Sequence, residues 1–379
     1  MSSSPPSLRR LLRPLALPIA LVAIGAYFGF SEPAYLGSRN LTQLFVEFAI
    51  VATLTLGMFL IILTGNIDLS AGSGVGLLGG LSAVLIFNHG WSAVPALLAS
   101  TGIGVALWVF MGAFIVKERV PSFIITLGGW LIFKGFFWRV INSSTIPITR
   151  GDDNAYSLIT TYYFPPVIGL GAAVAIAAGF AVLVWRARAE RARHGLPNES
   201  AGLALAKYAG AMGAVVTVVL VCNGFRGVPL TLAVLAGCAV AVHFLTRHTP
   251  FGRYLYAIGG NEEAAVLSGI NVDRVVIGAF MIMGLMVAIT GFMATAYVAT
   301  STTTIGEQME LDAIAACVIG GTALKGGRGT VWGVLMGALV MTALLNGMGL
   351  LGVEPWVKFV ARGVVLTLAV WMDVRFSRA

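Results

Sequence analysis

The sequence offers few side chains of the type and spacing that catalysis or metal binding requires. Its three cysteines lie in apolar stretches with no pair at metal-ligand spacing, and its four histidines are scattered along 379 residues. It contains no phosphate-binding loop of the form Gly-x4-Gly-Lys-[Ser/Thr], and its match to a dinucleotide fingerprint, Gly74-x-Gly76-x-x-Gly79, lies within an apolar segment. The sequence therefore predicts a protein that is not an enzyme, holds no metal and binds no cofactor itself.

The composition is that of an integral membrane protein. Hydrophobic residues make up 58% of the chain, charged residues make up 11%, and the mean hydropathy is +0.90. Soluble domains are about 45–50% apolar and about 25% charged. The net charge of +8 is explained by basic residues in the cytoplasmic loops of a membrane protein. We therefore expect a lipid bilayer, and no nucleic acid, as a partner.

Twelve apolar segments approach the length of about 20 residues that a membrane-spanning helix needs. They lie near residues 15–30, 41–63, 74–88, 92–116, 121–138, 166–185, 208–225, 229–246, 276–298, 311–324, 331–350 and 356–373. The third is short and rich in glycine, and 311–324 is too short to span comfortably, so either is a candidate for a broken or re-entrant helix. The predicted fold is an all-α polytopic membrane protein with a single transmembrane domain, 1–379.

The basic residues predict the orientation. If the N-terminus is cytoplasmic and each segment crosses once, the inner loops carry seventeen Lys and Arg residues. The outer loops carry three, which are Arg39, Arg150 and Arg226. This asymmetry follows the positive-inside rule, so both termini are predicted to be cytoplasmic.

The inner loop 247–275 is predicted to contain a short helix. Asn261 is a good N-cap, Glu262 and Glu263 suit the first turn, and Gly269 can end the helix. Between them the helix would run through Ala264, Ala265 and Leu267. Its small and apolar residues could fit a groove on a partner protein. A solvated surface helix is the alternative.

This loop and several other motifs resemble one family of transporters. Glu263-Ala264-Ala265-x-x-x-Gly269 is similar to the Glu-Ala-Ala loop of ATP-binding-cassette importer permeases. Seven further motifs, in both halves of the chain, resemble monosaccharide permeases of the ribose and xylose type: Thr64-Gly-Asn-Ile-Asp-Leu-Ser70, Ala257-Ile-Gly-Gly-Asn261, Leu267-Ser-Gly-Ile-Asn-Val272, Glu310-Leu-Asp-Ala-Ile-Ala-Ala316, Gly320-Gly-Thr322, Gly326-Gly-Arg-Gly-Thr330 and Asn346-Gly-x-x-Leu-Leu-Gly-Val353. The added helix pair near 165–228 resembles the xylose type.

The resemblance implies a ten-helix importer core plus that pair, in the bacterial inner membrane. It implies a permease homodimer, an ATP-binding cassette subunit that carries ATP and Mg, and a periplasmic sugar-binding protein. The cytoplasmic coupling loop 247–275 would dock on the ATPase through Gly259, Gly260, Asn261, Glu262, Glu263, Ala264, Ala265, Leu267 and Gly269. The implied substrate is D-xylose, with ribose, galactose or an autoinducer as alternatives. An ion-coupled secondary transporter is a more distant alternative, for which Glu47, Asp68 and Lys134 are the candidate groups.

A sugar path needs hydrogen-bonding groups without strong fixed charge, and polar residues within a bilayer usually face an interior. The candidates for the translocation path or gate are Asn66, Asp68, Ser70, Ser73, Thr322 and Asn346. Asn66 stands where the family often has glycine, and asparagine tolerates unusual backbone angles. Asp68 has an alternative structural role, either capping the next helix at Ser70 or pairing with a basic residue such as Arg328.

Two further patterns each have two interpretations. Glu307, Glu310 and Asp312 lie at the predicted outer mouth, where they could meet basic residues of a binding protein or simply be solvated. Two glycine trios at four-residue spacing each enter an apolar helix: Gly72, Gly76 and Gly80, and Gly329, Gly333 and Gly337. They indicate either an internal duplication or ordinary helix packing.

Overall fold

The computed structural model describes residues 16–196 and 200–377. The basic residues that precede position 16, and Arg378, lie outside this range, as does the first residue of the predicted segment 15–30. The described residues form fifteen α-helices: α1 (Ala16–Ser31), α2 (Ser38–Leu63), α3 (Ala71–Phe87), α4 (Ala93–Glu118), α5 (Ser122–Val140), α6 (Leu158–Thr161), α7 (Pro166–Arg193), α8 (Ala201–Asn223), α9 (Leu230–His248), α10 (Pro250–Gly260), α11 (Glu262–Leu267), α12 (Val272–Val298), α13 (Met309–Ile319), α14 (Val331–Leu350) and α15 (Pro355–Ser377).

Eight of these helices are long and apolar enough to cross a membrane: α2, α4, α5, α7, α8, α9, α12 and α14. The shorter α1 and α3 are also apolar. Together with α13 and α15, these helices correspond to the twelve predicted segments, and they confirm the all-α polytopic membrane fold. The 11 residues of α13 extend only about 16 Å at 1.5 Å per residue, about half of a hydrocarbon core. Most of α13 is buried, which is where a short membrane helix is tolerated.

The connections between helices gather at two ends of the bundle. We call the end formed by residues 64–70, 119–121, 249–271 and 320–330 the coupling end. Apart from the connection between α7 and α8, the opposite end carries the remaining connections and two short antiparallel strand pairs. One joins β1 (Ile146–Pro147) to β4 (Thr300–Ser301), and the other joins β2 (Tyr163–Phe164) to β3 (Val228–Pro229).

The packing of α2–α5 is repeated by α12–α15. Helix α12 packs on α3 and α4 in the way that α2 packs on α13 and α14, and α3 packs on α4 and α5 as α13 packs on α14 and α15. The two central helices, α2 and α12, contact each other and are the most buried of the candidate spans. The fold therefore has two similar halves, in which the counterpart of α3 is α13 and not α14, so the two glycine trios do not lie in equivalent helices.

The added pair, α7 and α8, lies at the periphery. The two helices pack on each other, and α8 contacts α2. Only Gly169 and Ala173 are buried along α7.

The fold places Asp152 and Glu190 at opposite ends of the bundle, and both are exposed. We predict that a cysteine at Glu190 reacts with a membrane-impermeant maleimide only in inside-out vesicles, and a cysteine at Asp152 only in intact spheroplasts. The native cysteines Cys222, Cys238 and Cys317 are buried, so background labelling should be low. Labelling of both positions from the same side would contradict the arrangement of the spans.

Candidate functional site

The predicted helix of the inner loop is α11, and it follows α10 almost directly. The Thr249 hydroxyl accepts a hydrogen bond from Gly252 N at 3.2 Å and caps α10. The Asn261 side chain accepts one from Ala264 N at 2.9 Å and caps α11. Beyond its end, Gly269 has a φ of +79°, the left-handed conformation that stops a helix. The sequence signals for both ends of α11 therefore act as predicted.

The outer face of α11 is apolar and unusually exposed. Leu267 is 89% exposed and Val266 is 56% exposed, while Ala265 packs inward. Exposed apolar residues at one place on a surface are typical of a contact with another protein. The predicted docking segment thus has both the helix and the surface that docking on a partner requires.

Behind α11, three chain segments meet through their backbones. A Cβ atom at Gly259 would lie 1.9 Å from Leu63 O and 2.3 Å from Gly327 N, and one at Gly326 would lie 2.7 Å from Gly259 Cα and 2.8 Å from Gly65 N. Gly327 N donates a hydrogen bond to Leu63 O at 3.1 Å. We call these five residues the glycine junction. It attaches the end of α10 to the turn 64–70 and to the loop 320–330.

Asp68 lies at the centre of a buried hydrogen-bonded cluster beside this junction. Its Oδ1 accepts bonds from Ser70 N at 2.8 Å and Ser70 Oγ at 2.6 Å, and its Oδ2 accepts one from Trp108 Nε1 at 2.6 Å. Asp68 is 0% exposed. Both carboxylate oxygens are satisfied by these bonds, and this geometry agrees with the capping alternative. Trp108, on α4, had no recognisable signal in the sequence.

The other predicted path residues lie in separate places. The Asn66 amide donates a hydrogen bond to Thr64 Oγ1 at 2.9 Å. The residue with a left-handed backbone in this turn is Gly65, at φ +79°, so the turn does not require the tolerance of unusual backbone angles expected of Asn66. Thr322 is 1% exposed, in the loop of the glycine junction. Ser73 donates to Ser70 O at 3.0 Å and lines a cavity.

Asn346 belongs to a polar cluster near the opposite end of the bundle. Its amide donates to Glu47 Oε2 at 3.1 Å, and Glu47 Oε1 accepts a bond from the Tyr297 hydroxyl at 2.9 Å. Asn40 donates to Asn346 Oδ1 at 3.0 Å. The structure therefore does not bring the six path candidates together; it divides them between the two ends.

At the opposite end, two cations hold the connection between β4 and α13. We call residues 302–308 the outer loop. Lys134 Nζ, from α5, donates to Thr303 O at 3.0 Å. Arg362, from α15, donates to Gln308 Oε1 at 3.2 Å and pairs with Asp312 at 2.9 Å. The loop is thus fixed by helices that occupy equivalent positions in the two halves.

The three acidic residues predicted at this mouth differ in exposure. Glu307 is exposed, whereas Glu310 is 6% and Asp312 is 3% exposed. Asp312 is engaged with Arg362. A direct contact with another protein is therefore open to Glu307 and closed to the other two in this conformation.

The comparisons with known proteins agree with this geometry. Residues 40–370 match the family described as the branched-chain amino acid transport system permease component. The chain belongs to this permease family.

Its relatives are sugar permeases. The permease is 38% identical to the xylose transport system permease protein XylH of Escherichia coli K12, over 95% of this chain and 91% of the relative. It is 37% identical to XylH of Haemophilus influenzae, over 94% of each chain. The ribose import permease protein RbsC of Escherichia coli K12 is 30% identical, over 94% of this chain and 92% of the relative. No solved structure matches it.

The Asp68 cluster yields a prediction about stability. In Asp68→Asn the amide can present its oxygen to Ser70 or to Trp108, but its NH2 group must then face the other donor. We expect a loss of about 1–3 kcal/mol in the free energy of unfolding, measured in detergent. Because Trp108→Phe removes one donor, the double variant should lose less than the sum of the single losses. Strict additivity would show that this contact does not stabilise the turn.

The glycine junction yields a second prediction with a matched control. Gly259→Ala places a methyl group on Leu63 O, whereas at the adjacent Gly260 a Cβ meets no atom within 4 Å. We expect Gly259→Ala to cost about 1–3 kcal/mol of stability and Gly260→Ala to be nearly neutral. Thermal unfolding of both variants measures the difference. Equal melting temperatures would mean that the three segments do not meet as described.

Proposed function

We propose that this chain is the permease subunit of an ATP-driven importer and that its substrate is D-xylose. The observation that carries the substrate is the 37–38% identity to xylose permeases over nearly the whole chain. Ribose is the second candidate, favoured by the 30% identity to a ribose permease. The paired halves and the exposed α11 support the transport role.

Three partners follow from this proposal. An ATP-binding cassette subunit, which carries ATP and Mg, docks on α11 through Leu267 and Val266. A sugar-binding protein delivers xylose to the opposite end, where the exposed Glu307 is available for contact. A second copy of the permease completes a homodimer, and the assembly lies in the bacterial inner membrane with both termini in the cytoplasm.

The glycine junction supplies a mechanical link between the ATPase and the path. When the ATPase pair closes on ATP it moves α11, and α10 moves with it because the two helices are separated only by Asn261. Gly259 contacts the backbones of both the turn before α3 and the loop before α14. A shift of α10 must therefore displace both segments or break the junction. We infer that the junction has two arrangements, and that a ligand at a remote site biases the equilibrium between them.

The outer loop then acts as the gate on the binding-protein side. It is joined to the coupling end through α13, which spans only 11 residues. Moving α13 would pull on Gln308 and Asp312, and hence on the contacts of both with Arg362. Opening at one end can in this way accompany closing at the other.

Reconstituted transport tests the proposal. Proteoliposomes containing the permease, its ATPase and its sugar-binding protein should accumulate labelled D-xylose when ATP is supplied on the ATPase side, and take up ribose more slowly. A non-hydrolysable ATP analogue should give no accumulation. Leu267→Asp should abolish uptake and ATPase co-purification while membrane abundance stays normal, because α11 lies outside the bundle. Xylose uptake driven by an ion gradient without ATP would overturn the proposal.

A further inference from the structure

One face of α5 carries an aromatic and polar surface that the coupling mechanism does not use. Trp130, Lys134 and Trp138 follow each other at four-residue spacing, which places them in a row on one side of the helix. With Leu131, Gly135, Ser73 of α3 and residues 305–308 of the outer loop, they line a cavity of about 590 Å³. We call it the tryptophan cavity. Its volume lies within the range of about 300–1,000 Å³ typical of small-ligand sites.

The lining of this cavity is suited to a neutral polyol. The indole faces of Trp130 and Trp138 are flat and apolar, while Lys134, Gln308 and Glu307 supply hydrogen-bonding groups around them. Lys134 Nζ is already oriented by Thr303 O and lies 5.7 Å from the centre of the Trp138 ring. Neither indole N–H makes a hydrogen bond within the described part of the chain, so both donors are available. A pyranose offers complementary groups: C–H bonds on its faces and hydroxyls at its edge.

A second cavity on α5 provides an internal contrast. It measures about 390 Å³ and is lined by aliphatic and phenylalanine side chains, with Gly128 among them: Leu77, Leu107, Phe110, Phe114, Ile124 and Phe136 are representative. Such a groove suits a lipid chain and has no groups that could recognise hydroxyls. The polar lining is therefore a property of the tryptophan cavity and not of α5 in general.

The position of the tryptophan cavity fits a substrate in transit. Residues 305–308 form its rim, so the proposed gate and the cavity share a wall. Ser73 joins it to the helix that begins at the Asp68 turn. A sugar here would contact elements that move together when the glycine junction moves.

We propose that the tryptophan cavity is a transient binding site for the transported monosaccharide, which stacks on Trp130 and Trp138 and is hydrogen-bonded by Lys134, Gln308 and Glu307. This assignment rests on the proposed function, because it requires that the chain transports a sugar. It names the step between the release of the sugar by the binding protein and its passage to the coupling end.

Two glycines of α5 provide a matched test. A Cβ at Gly135 or at Gly128 meets no atom within 4 Å, but Gly135 lines the tryptophan cavity and Gly128 the apolar one. In the proteoliposome assay, Gly135→Leu should lower the initial rate of D-xylose uptake at least about tenfold by filling the site. Gly128→Leu should stay within about twofold of wild type, since it leaves the tryptophan cavity open. ATP hydrolysis stimulated by the liganded binding protein should persist in Gly135→Leu, so the sugar carried per ATP falls.

Substitution of Trp130 refines the test. Trp130→Ala should reduce uptake by roughly two- to tenfold, the loss expected for one aromatic stacking contact, and Trp130→Phe should restore most of it.

If wild type transports neither xylose nor ribose, the proposed function fails. If wild type transports but Gly135→Leu matches Gly128→Leu, the cavity is not on the path. If Gly135→Leu disrupts the dimer in cross-linking, the cavity is a subunit interface and the assignment is wrong.

Discussion

The structure of this permease depends on the direct contact of three backbone segments at the glycine junction. A methyl group at Gly259 would overlap the carbonyl oxygen of Leu63, and one at Gly326 would reach Gly259 itself. Leu63 and Gly259 are nearly 200 positions apart in sequence, and Gly259 and Gly326 are more than 60 apart. The junction holds these residues at distances that only glycine permits at 259 and 326. Side-chain contacts can slide by changing rotamer, but backbones in direct contact cannot. The segment that follows α2, the segment that precedes α11 and the loop before α14 must therefore move as one body or separate.

The two short helices extend this constraint into the bundle. Helix α3 begins after the turn 64–70. Helix α13 begins after the outer loop and ends at the loop 320–330. Helix α3 lies against both, because a Cβ at Gly72 would meet the Glu310 carboxylate of α13 and the Gly306 carbonyl of the outer loop. A helix that spans the hydrocarbon core is about 30 Å long and can absorb a displacement by bending. Helix α13 is only about 16 Å long and is buried along most of its length. Short, buried and attached at both ends, it is suited to carry a displacement from the loop 320–330 to the outer loop.

What the sequence predicted correctly depended on local signals. The spans follow from runs of apolar residues, and both ends of α11 follow from Asn261 and Gly269, because capping involves residues only three or four positions apart. The contacts of Asp68 with Trp108, and of Lys134 with Thr303, join residues that are 40 and 169 positions apart, and no local pattern encodes them. The glycine trios were misleading for a related reason. Regular spacing indicates close packing, but the identity of the partner helix depends on the tertiary arrangement.

The same contacts bear on the energy source. An ion-coupled transporter needs an intramembrane group that gains and loses a proton or a cation during the cycle. Asp68 accepts three hydrogen bonds from Ser70 and Trp108, and Glu47 is held by Tyr297 and Asn346. These bonds fix the positions of both carboxyl groups relative to the helices that donate them. Lys134 donates to a carbonyl that positions the outer loop. All three groups therefore have a role in holding elements in place, and α11 is the exposed element, attached to the glycine junction, on which a partner outside the bundle would act under the proposed function.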